Sequence, residues 1–249
     1  MGKINNDFYD TLNELWYQGD SHPISLLRQE SILKNVWVSD ILVQLFSHIE
    51  NSQVKVLDLA CGGGFLSNHL SSEHYQVSAV DISPNSLAIA KKYDESKKVQ
   101  YIESSIEKLP FENESFDVVF LMDVLEHLDD PKIALKEAAR VTKKNGFIFY
   151  HTFNRTFLAY LLAVKALEVI LPNAPKNIHS YDHFIKPSEL FEYLGELDLK
   201  NIETSGLGPN FLNIAFWSSL FRRRVSKNFK FELKKSFQLG YLGYAQKNN

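Results

Sequence analysis

The chain contains a single cysteine, Cys61, among its 249 residues. One cysteine excludes an internal disulfide and any zinc site built from several thiolates, and a reducing compartment fits it best. Positive charge is not in excess either, because 27 Lys and Arg face 30 Asp and Glu for a net charge of -3. A basic field over the whole surface is therefore excluded, and we expect no nucleic-acid partner.

Long uncharged apolar runs are also missing, since none reaches the roughly 20 residues that cross a bilayer. The first residues lack the apolar core of a signal peptide. The nearest candidate, FLAYLLAVKALEVIL at 157–171, is interrupted by Lys165 and Glu168. It predicts either a helix lying at a membrane surface or a buried helix of a cap. We expect a cytoplasmic protein, with 157–171 as a peripheral contact at the inner face of the membrane.

Strand-like apolar runs alternate with helical periodicity in the first two thirds of the sequence. The predicted strands are 54–60, 76–83, 99–105, a strand that begins near 115, and 146–153. This alternation predicts an α/β fold with a mostly parallel sheet covered by helices on both faces.

The rhythm changes after Thr152, so we predict one domain over 1–249 with four parts. An N-terminal helical cap (1–50) precedes a cofactor-binding half (51–152). A helical insertion after the fifth strand (153–200) is expected to contact substrate, and C-terminal strands (201–249) complete the fold.

The stretch VLDLACGGGFLSNHL at 56–70 joins a buried strand to a helix through three successive glycines. Such a turn lets a ligand approach backbone N–H groups, and the helix start favours anionic groups. The next strand ends near Asp81, which is placed to accept hydrogen bonds from two ribose hydroxyls. The ligand predicted here is a nucleoside with a negative group.

Two nucleoside cofactors compete for this loop. The dinucleotide pattern G-x-G-x-x-G fails at its first and last glycines, where Ala60 and Phe65 stand. The loop instead resembles the first motif of class I S-adenosylmethionine-dependent methyltransferases, and SSIEKLPFENESFDVV resembles their adenine-binding segment. This resemblance implies a Rossmann-like, seven-stranded methyltransferase sheet with S-adenosyl-L-methionine as cofactor. The implied cofactor-binding residues are Arg28, Asp58, Ala60, Gly62, Gly64, Asp81, Ile82, Ser105, Ile106 and Met122.

The stretch MDVLEHLDDP follows the fourth strand. If it is helical, Asp123, Glu126 and His127 stand at i, i+3 and i+4 and share one face. Such a cluster can bind a hard ion such as Mg²⁺, or His127 can act as a general base oriented by an acid. A polar helix start with no chemistry is the third reading.

Three segments together, MDVLEHLDDP, HTFNRT and PKNIHSYDHFIKPSEL, resemble the O-methyltransferases of ubiquinone biosynthesis. The resemblance implies methyl transfer to a polyprenyl phenol or quinol. It also implies Mg²⁺ at Asp123, Glu126 and His127. The catalytic candidates are His127 with Glu126, then His151, while His179 and His183 are expected near the substrate mouth.

The sequence departs from that family at three places. His151 stands where relatives usually have Ser, LWYQGD replaces a WWD run, and extra residues lie between Pro209 and Phe231. The alternatives are another small-molecule acceptor or C-methylation of a menaquinone precursor. A NAD-dependent oxidoreductase and a non-catalytic nucleoside-binding protein are the rivals from other classes.

Overall fold

Eight strands form one sheet in the computed structural model, which describes residues 6–166 and 178–248. The strands are β1 Lys55–Leu59, β2 Gln76–Asp81, β3 Gln100–Glu103, β4 Phe116–Met122, β5 Thr142–Phe153, β6 Leu199–Pro209, β7 Phe231–Lys234 and β8 Gly240–Lys247.

The sheet order is β3-β2-β1-β4-β5-β8-β6-β7. The first five strands pair in parallel, and β8, β6 and β7 continue the sheet with antiparallel pairs. The predicted α/β, Rossmann-like class is confirmed. The predicted count of seven strands is wrong by one, because β7 pairs with β6 as an additional edge strand.

The sheet is covered on both faces, as the apolar character of its strands requires. In β4, Val119 and Leu121 pack in one buried cluster, while Val118 and Phe120 pack in another. Six α-helices of eight residues or more lie within the described residues: α1 Ile24–Leu45, α2 Phe65–Ser72, α3 Pro84–Tyr93, α4 Pro131–Val141, α5 Pro187–Glu196 and α6 Ile214–Arg222.

The N-terminal region lies against the edge of the sheet where the parallel strands end. Two 3-10 turns, Asn6–Thr11 and Asn13–Trp16, precede α1, and both contact α3. Helix α3 begins with Ser83 as N-cap, whose hydroxyl accepts from the Ser86 amide at 3.0 Å. Because β2 ends just before this cap, the N-terminal turns cover the site where a ligand of this sheet would bind.

The apolar run 157–171 is only partly within the described residues. Phe157–Ala159 forms one α-helical turn, and Tyr160–Ala166 continues it as a π-helix. The remainder of the predicted helix, 167–171, lies outside the described residues. Within the described parts of the chain, no helix has the length and apolar character to cross a bilayer.

Candidate active site

A tight loop follows β1, and its backbone is held by the acid at the end of β2. Ala60, Gly62 and Gly64 have φ angles of 56°, 52° and 82°. The Gly62 amide donates to Oδ2 of Asp81 at 2.8 Å, and the Ser83 amide donates to Oδ1 at 2.8 Å. Burial raises the pKa of Asp81, although these backbone donors oppose the shift. Each carboxylate oxygen can accept a second hydrogen bond, so Asp81 can still bind two ligand hydroxyls.

The glycines of this loop are required by protein contacts as well as by a ligand. A Cβ atom on Gly62 or on Gly63 would lie 2.6 Å from the Trp16 indole. A Cβ atom on Gly64 would lie 2.8 Å from the Ala90 Cβ. Because these glycines have no side chain, Trp16 of the N-terminal turn and helix α3 can both pack directly against the loop. The sequence motif alone does not indicate this packing role.

A cavity of about 520 Å³ opens beside this loop at the carboxyl ends of β1, β2 and β4. Eight of the ten predicted cofactor-binding residues line it: Asp58, Ala60, Gly62, Asp81, Ile82, Ser105, Ile106 and Met122. Asp58 is buried, accepts from the Ser67 hydroxyl at 2.5 Å, and has its pKa raised to about 7 by that burial. The exposed Ile82 offers an apolar surface next to the Asp81 carboxylate.

The other two predicted cofactor residues, Arg28 and Gly64, do not line this cavity. The Arg28 guanidinium donates to the carbonyl oxygens of Trp16 at 3.3 Å and Gly19 at 2.5 Å. Arg28 thus fixes the N-terminal segment that carries Trp16, and its effect on a cofactor would be indirect. Gly64 faces Ala90 instead of the cavity.

A second cavity of about 640 Å³ adjoins the first. Tyr9, Leu27, Asp123 and His127 line both cavities, so the two spaces meet at these side chains. Most of its wall is apolar, while Glu126 and His179 join Asp123 and His127 at one end. The arrangement suits an amphipathic ligand whose polar head faces the first cavity.

Glu126 and His127 occupy this polar end in different protonation environments. Glu126 is fully buried, accepts from the Thr152 hydroxyl at 2.8 Å, and leaves Oε1 without a protein hydrogen-bond partner. Burial raises the pKa of Glu126 to about 7 and lowers that of His127 to about 3. The Tyr9 hydroxyl lies 3.3 Å from His127 Nε2. His127 is thus a neutral imidazole near pH 7, and Glu126 titrates near that pH.

Asp123 belongs to a buried charge network that the sequence analysis did not predict. Its carboxylate binds His151 Nδ1 and the ammonium of Lys34. Glu30 Oε1 lies 3.6 Å from His151 Nε2, and Glu30 Oε2 lies 3.8 Å from the Lys34 ammonium. Burial opposes charge on Asp123, but Lys34 and His151 hold its pKa far below the ordinary value. Burial likewise opposes charge on His151, and Asp123 raises the pKa of His151 above its usual range.

This network changes the interpretation of His151. The side chain has no exposed surface and does not line either cavity. A general base must come within hydrogen-bond reach of its substrate, so the geometry disfavours the predicted direct role. His151 instead holds Asp123, which lines both cavities.

The predicted metal set is not the one that the fold assembles. Met122 ends β4, Asp123 has a φ of 60°, and Leu125–His127 forms a short 3-10 turn instead of the start of a helix. Among the described residues, donor atoms of Glu126, His127 and His179 come within 4.8 Å of one another. Asp123 is committed to Lys34 and His151. Two imidazoles and one carboxylate do not fit the oxygen ligands that Mg²⁺ prefers, so we assign no Mg²⁺ to this site.

The remaining predicted and missed residues are placed as follows. His179 lines the second cavity, with its ring centre 5.2 Å from that of His127. His183 Nε2 lies 3.6 Å from Asp129 Oδ1.

Sequence reasoning missed Tyr9, Trp16, Glu30 and Lys34. Glu30 and Lys34 could have been found, because their spacing of i and i+4 among apolar residues of α1 is typical of an ion pair on a helix. The structure shows that both are buried.

Comparisons with known proteins agree with this geometry. A sequence-family profile described as "Methyltransferase domain" matches residues 57–150. A ubiquinone biosynthesis O-methyltransferase from Glaesserella parasuis is 31% identical over 218 residues, which cover 84% of this chain and 89% of the relative. One from Hydrogenovibrio crunogenus is 35% identical over 212 residues, covering 82% and 83%.

Solved structures share the fold at lower sequence identity. The magnesium protoporphyrin IX methyltransferase of Synechocystis, solved with bound SAH, aligns with a TM-score of 0.63 at 15% identity. The alignment covers 98% of this chain and 95% of that one. A protein from Pyrococcus horikoshii aligns with a TM-score of 0.62 at 20% identity, covering 98% and 100%. These likenesses show the fold alone.

Proposed function

The chain belongs to the family of ubiquinone biosynthesis O-methyltransferases, and on that premise we propose that its methyl acceptor is a phenol or catechol with a polyprenyl tail. The enzyme is an S-adenosylmethionine-dependent methyltransferase. The observation that carries the acceptor proposal is the apolar cavity of about 640 Å³ that meets the first cavity at Tyr9, Asp123 and His127. A ring would sit at this junction, and a hydrocarbon tail would fill the apolar remainder.

The first cavity fits S-adenosylmethionine by the chemistry of its walls. Asp81 would bind the ribose hydroxyls, and Asp58 would face the positive amino group. Ile82 offers an apolar surface for the adenine ring. The cofactor, when bound, supplies an electrophilic methyl group. Gly62 and Gly63 take part by admitting Trp16, which closes the cavity from the N-terminal side.

We assign the proton removal to Glu126 in preference to His127. A phenol has a pKa near ~10, so its proton must be removed at neutral pH. A base works best when its own pKa lies near the working pH, and the pKa of Glu126 is about 7. His127, with a pKa near 3, is a weaker base and a better neutral hydrogen-bond partner for the acceptor oxygen. Asp123, locked by Lys34 and His151, contributes a fixed negative charge at the junction.

An acceptor with such a tail resides in a bilayer, so the enzyme must work at a membrane surface. We propose that the apolar run 157–171 contributes to this contact, at the inner face of the membrane and on the cytoplasmic side. Of its described residues, Phe157, Leu158 and Leu161 are exposed. The latter two also line the apolar cavity.

The test is methyl transfer from labelled S-adenosylmethionine to two matched catechols, one with a polyprenyl tail and one without. We expect the tailed acceptor to have a KM lower by tenfold or more, because its tail leaves water for the apolar cavity. Mass spectrometry of the product locates the new methyl on oxygen. Equal KM values would contradict the proposal that the cavity binds a polyprenyl tail. A methyl group on ring carbon would favour the C-methylation of a menaquinone precursor.

A further inference from the structure

Helix α6 presents apolar side chains on two faces. Phe216 and Leu220, one helical turn apart, line the apolar cavity. Ile214, Trp217 and Phe221 follow the spacing i, i+3 and i+7 and form an outer stripe, with 84%, 55% and 94% of each residue exposed. An isolated exposed apolar residue is ordinary, but a helical stripe of this size marks an interaction surface.

The stripe lies at an opening of the apolar cavity. Trp217 is both exposed and part of the cavity wall. From the segment after β5, Leu158 and Leu161 combine the same two properties. An apolar ligand that enters between these three side chains would therefore stay in contact with apolar surface, while Arg224 supplies a charged group to the same cavity wall.

The chain segment that contains the stripe carries charge of one sign. From 204 to 231 the sequence contains five basic residues and no acidic one, although the whole chain has a net charge of -3. The five are Arg222, Arg223, Arg224, Lys227 and Lys230, and all are exposed. This pairing of exposed aromatic and aliphatic side chains with flanking basic residues is what an anionic lipid surface attracts.

We infer that the outer face of α6, with its basic C-terminal flank, docks on a lipid bilayer that contains anionic headgroups. A bilayer is the occupant that the observations favour, because it alone supplies both a negative surface and an apolar phase continuous with the cavity. The inference deepens the proposed function and rests on it for the identity of the cavity ligand. Docking itself does not require methyl transfer.

The test is flotation of the purified full-length chain with vesicles. One set contains phosphatidylcholine alone and the other contains about 30% phosphatidylglycerol. We expect binding to the anionic vesicles to be at least tenfold stronger and to weaken at high salt. Light scattering without vesicles measures self-association.

Two variant pairs separate the apolar and the charged contributions. Ile214→Ser with Phe221→Ser is expected to weaken binding to anionic vesicles by about tenfold or more, because the stripe no longer enters the bilayer. Arg222→Gln with Lys227→Gln removes two of the five basic residues and is expected to weaken binding to anionic vesicles by about tenfold. All four positions are largely exposed, so folding is preserved and circular dichroism checks this. The controls are Val43→Ser, exposed on α1, and Lys136→Gln with Lys144→Gln, which should bind like the wild type.

Three outcomes would overturn the inference: a wild-type chain that floats with neither vesicle, an apolar double variant that binds as the wild type does, and a dimer that the same variant dissolves. The last would assign the face to a second copy. Methyl transfer to a tailed catechol in detergent, measured in parallel, keeps the two proposals apart. Transfer without flotation contradicts docking alone, whereas flotation without transfer contradicts the proposed acceptor.

Discussion

Lys34 of α1 and Asp123 at the end of β4 form an ion pair in which the lysine is 3% exposed. The pair connects the N-terminal helix to the junction of the two cavities. Burial opposes the charge on Lys34, yet Asp123 and Glu30 raise its pKa above the ordinary value. The pair therefore sets the position of Asp123, whose φ of 60° is unusual for a residue with a side chain.

Replacing Lys34 with Met is expected to destabilise the fold by about 3 kcal/mol, because it leaves buried carboxylates without their cation. Urea unfolding monitored by fluorescence measures the change. Lys92→Met is the matched control, since the Lys92–Glu14 pair is exposed to solvent and an exposed pair contributes little to stability. Similar losses in the two variants would show that the buried network does not stabilise the protein.

Replacing Asp81 with Asn is expected to weaken binding of S-adenosylhomocysteine by roughly 10- to 100-fold. The amide keeps the size of the side chain but loses one acceptor oxygen, while Gly62 and Ser83 still each present an N–H group. Calorimetric titration measures the affinity. Glu103→Gln changes the acid that pairs in register with Asp81 on β3 and does not line the cavity, so it should bind normally. Equal affinities for the two variants would contradict the role of Asp81.

The parallel half of the sheet and most of the first cavity could be predicted, because both depend on local patterns. The strands read as apolar runs, and an acid after β2 must lie beside the loop after β1 in any parallel sheet of this order. The contact between Trp16 and the glycines could not be predicted, because no periodicity connects an N-terminal 3-10 turn to that loop. His179 reaches His127 only through the tertiary fold.

The cluster after β4 shows why local periodicity can mislead. Helical spacing placed Asp123, Glu126 and His127 on one face, but a positive φ at Asp123 turns the chain before any helix forms. Strands were predicted over 201–249 without bounds, and β6, β7 and β8 end in or lie within that range, but the helix α6 was not predicted.

Changing Glu126 to Gln is expected to lower kcat by roughly 10²- to 10⁴-fold, the usual contribution of a general base. In the wild type, kcat/KM should rise with pH through about 7 and level off above it, because the base must lose its proton. The variant should lose that rise. The pKa of His127 is about 3, so His127 does not cause the inflection near 7. His127→Gln should therefore lower the rate and keep that inflection. A rise that persists in Glu126→Gln would assign the inflection to another group.

Glu126→Gln, which is expected to lower kcat, should make the stability of the protein less sensitive to rising pH. The folded pKa of Glu126 is about 7 against an ordinary value of 4.5, so between these pH values the folded state keeps a proton that the unfolded chain has released. Stability from this group therefore falls as pH rises, by about 3 kcal/mol in all. Between pH 5 and 8 the Gln variant should lose less stability than the wild type by about that amount.

Urea midpoints at pH 5 and 8 provide the measurement. Asp58, whose pKa is also about 7, contributes a similar decline that remains in the variant. Thr152→Val is the control, because it removes the hydrogen bond to Glu126 and leaves the carboxyl group buried. Identical pH dependence in the wild type and the Gln variant would show that Glu126 ionises normally in the folded protein.

Gly63→Ala should lower the stability of the protein through a clash with Trp16. Backbone strain is not expected, because Gly63 does not have a positive φ angle. The added methyl would lie 2.6 Å from the indole, so the N-terminal turn must move away from the loop. We expect a loss of about 2 kcal/mol in stability, within the range for overpacked sites. In a Trp16→Ala background the space is free, and the same change should cost under about 0.5 kcal/mol.

The double-mutant cycle isolates this contact, with an expected coupling of more than 1 kcal/mol. Gly195→Ala on α5 is the matched control, since nothing lies within 4 Å of the added atom and alanine favours a helix. Cofactor affinity should follow the same pattern, because Trp16 lines the first cavity as well. Additive effects of the two substitutions would mean that the glycine is required by the ligand alone, and the N-terminal turn would then have no part in shaping the loop.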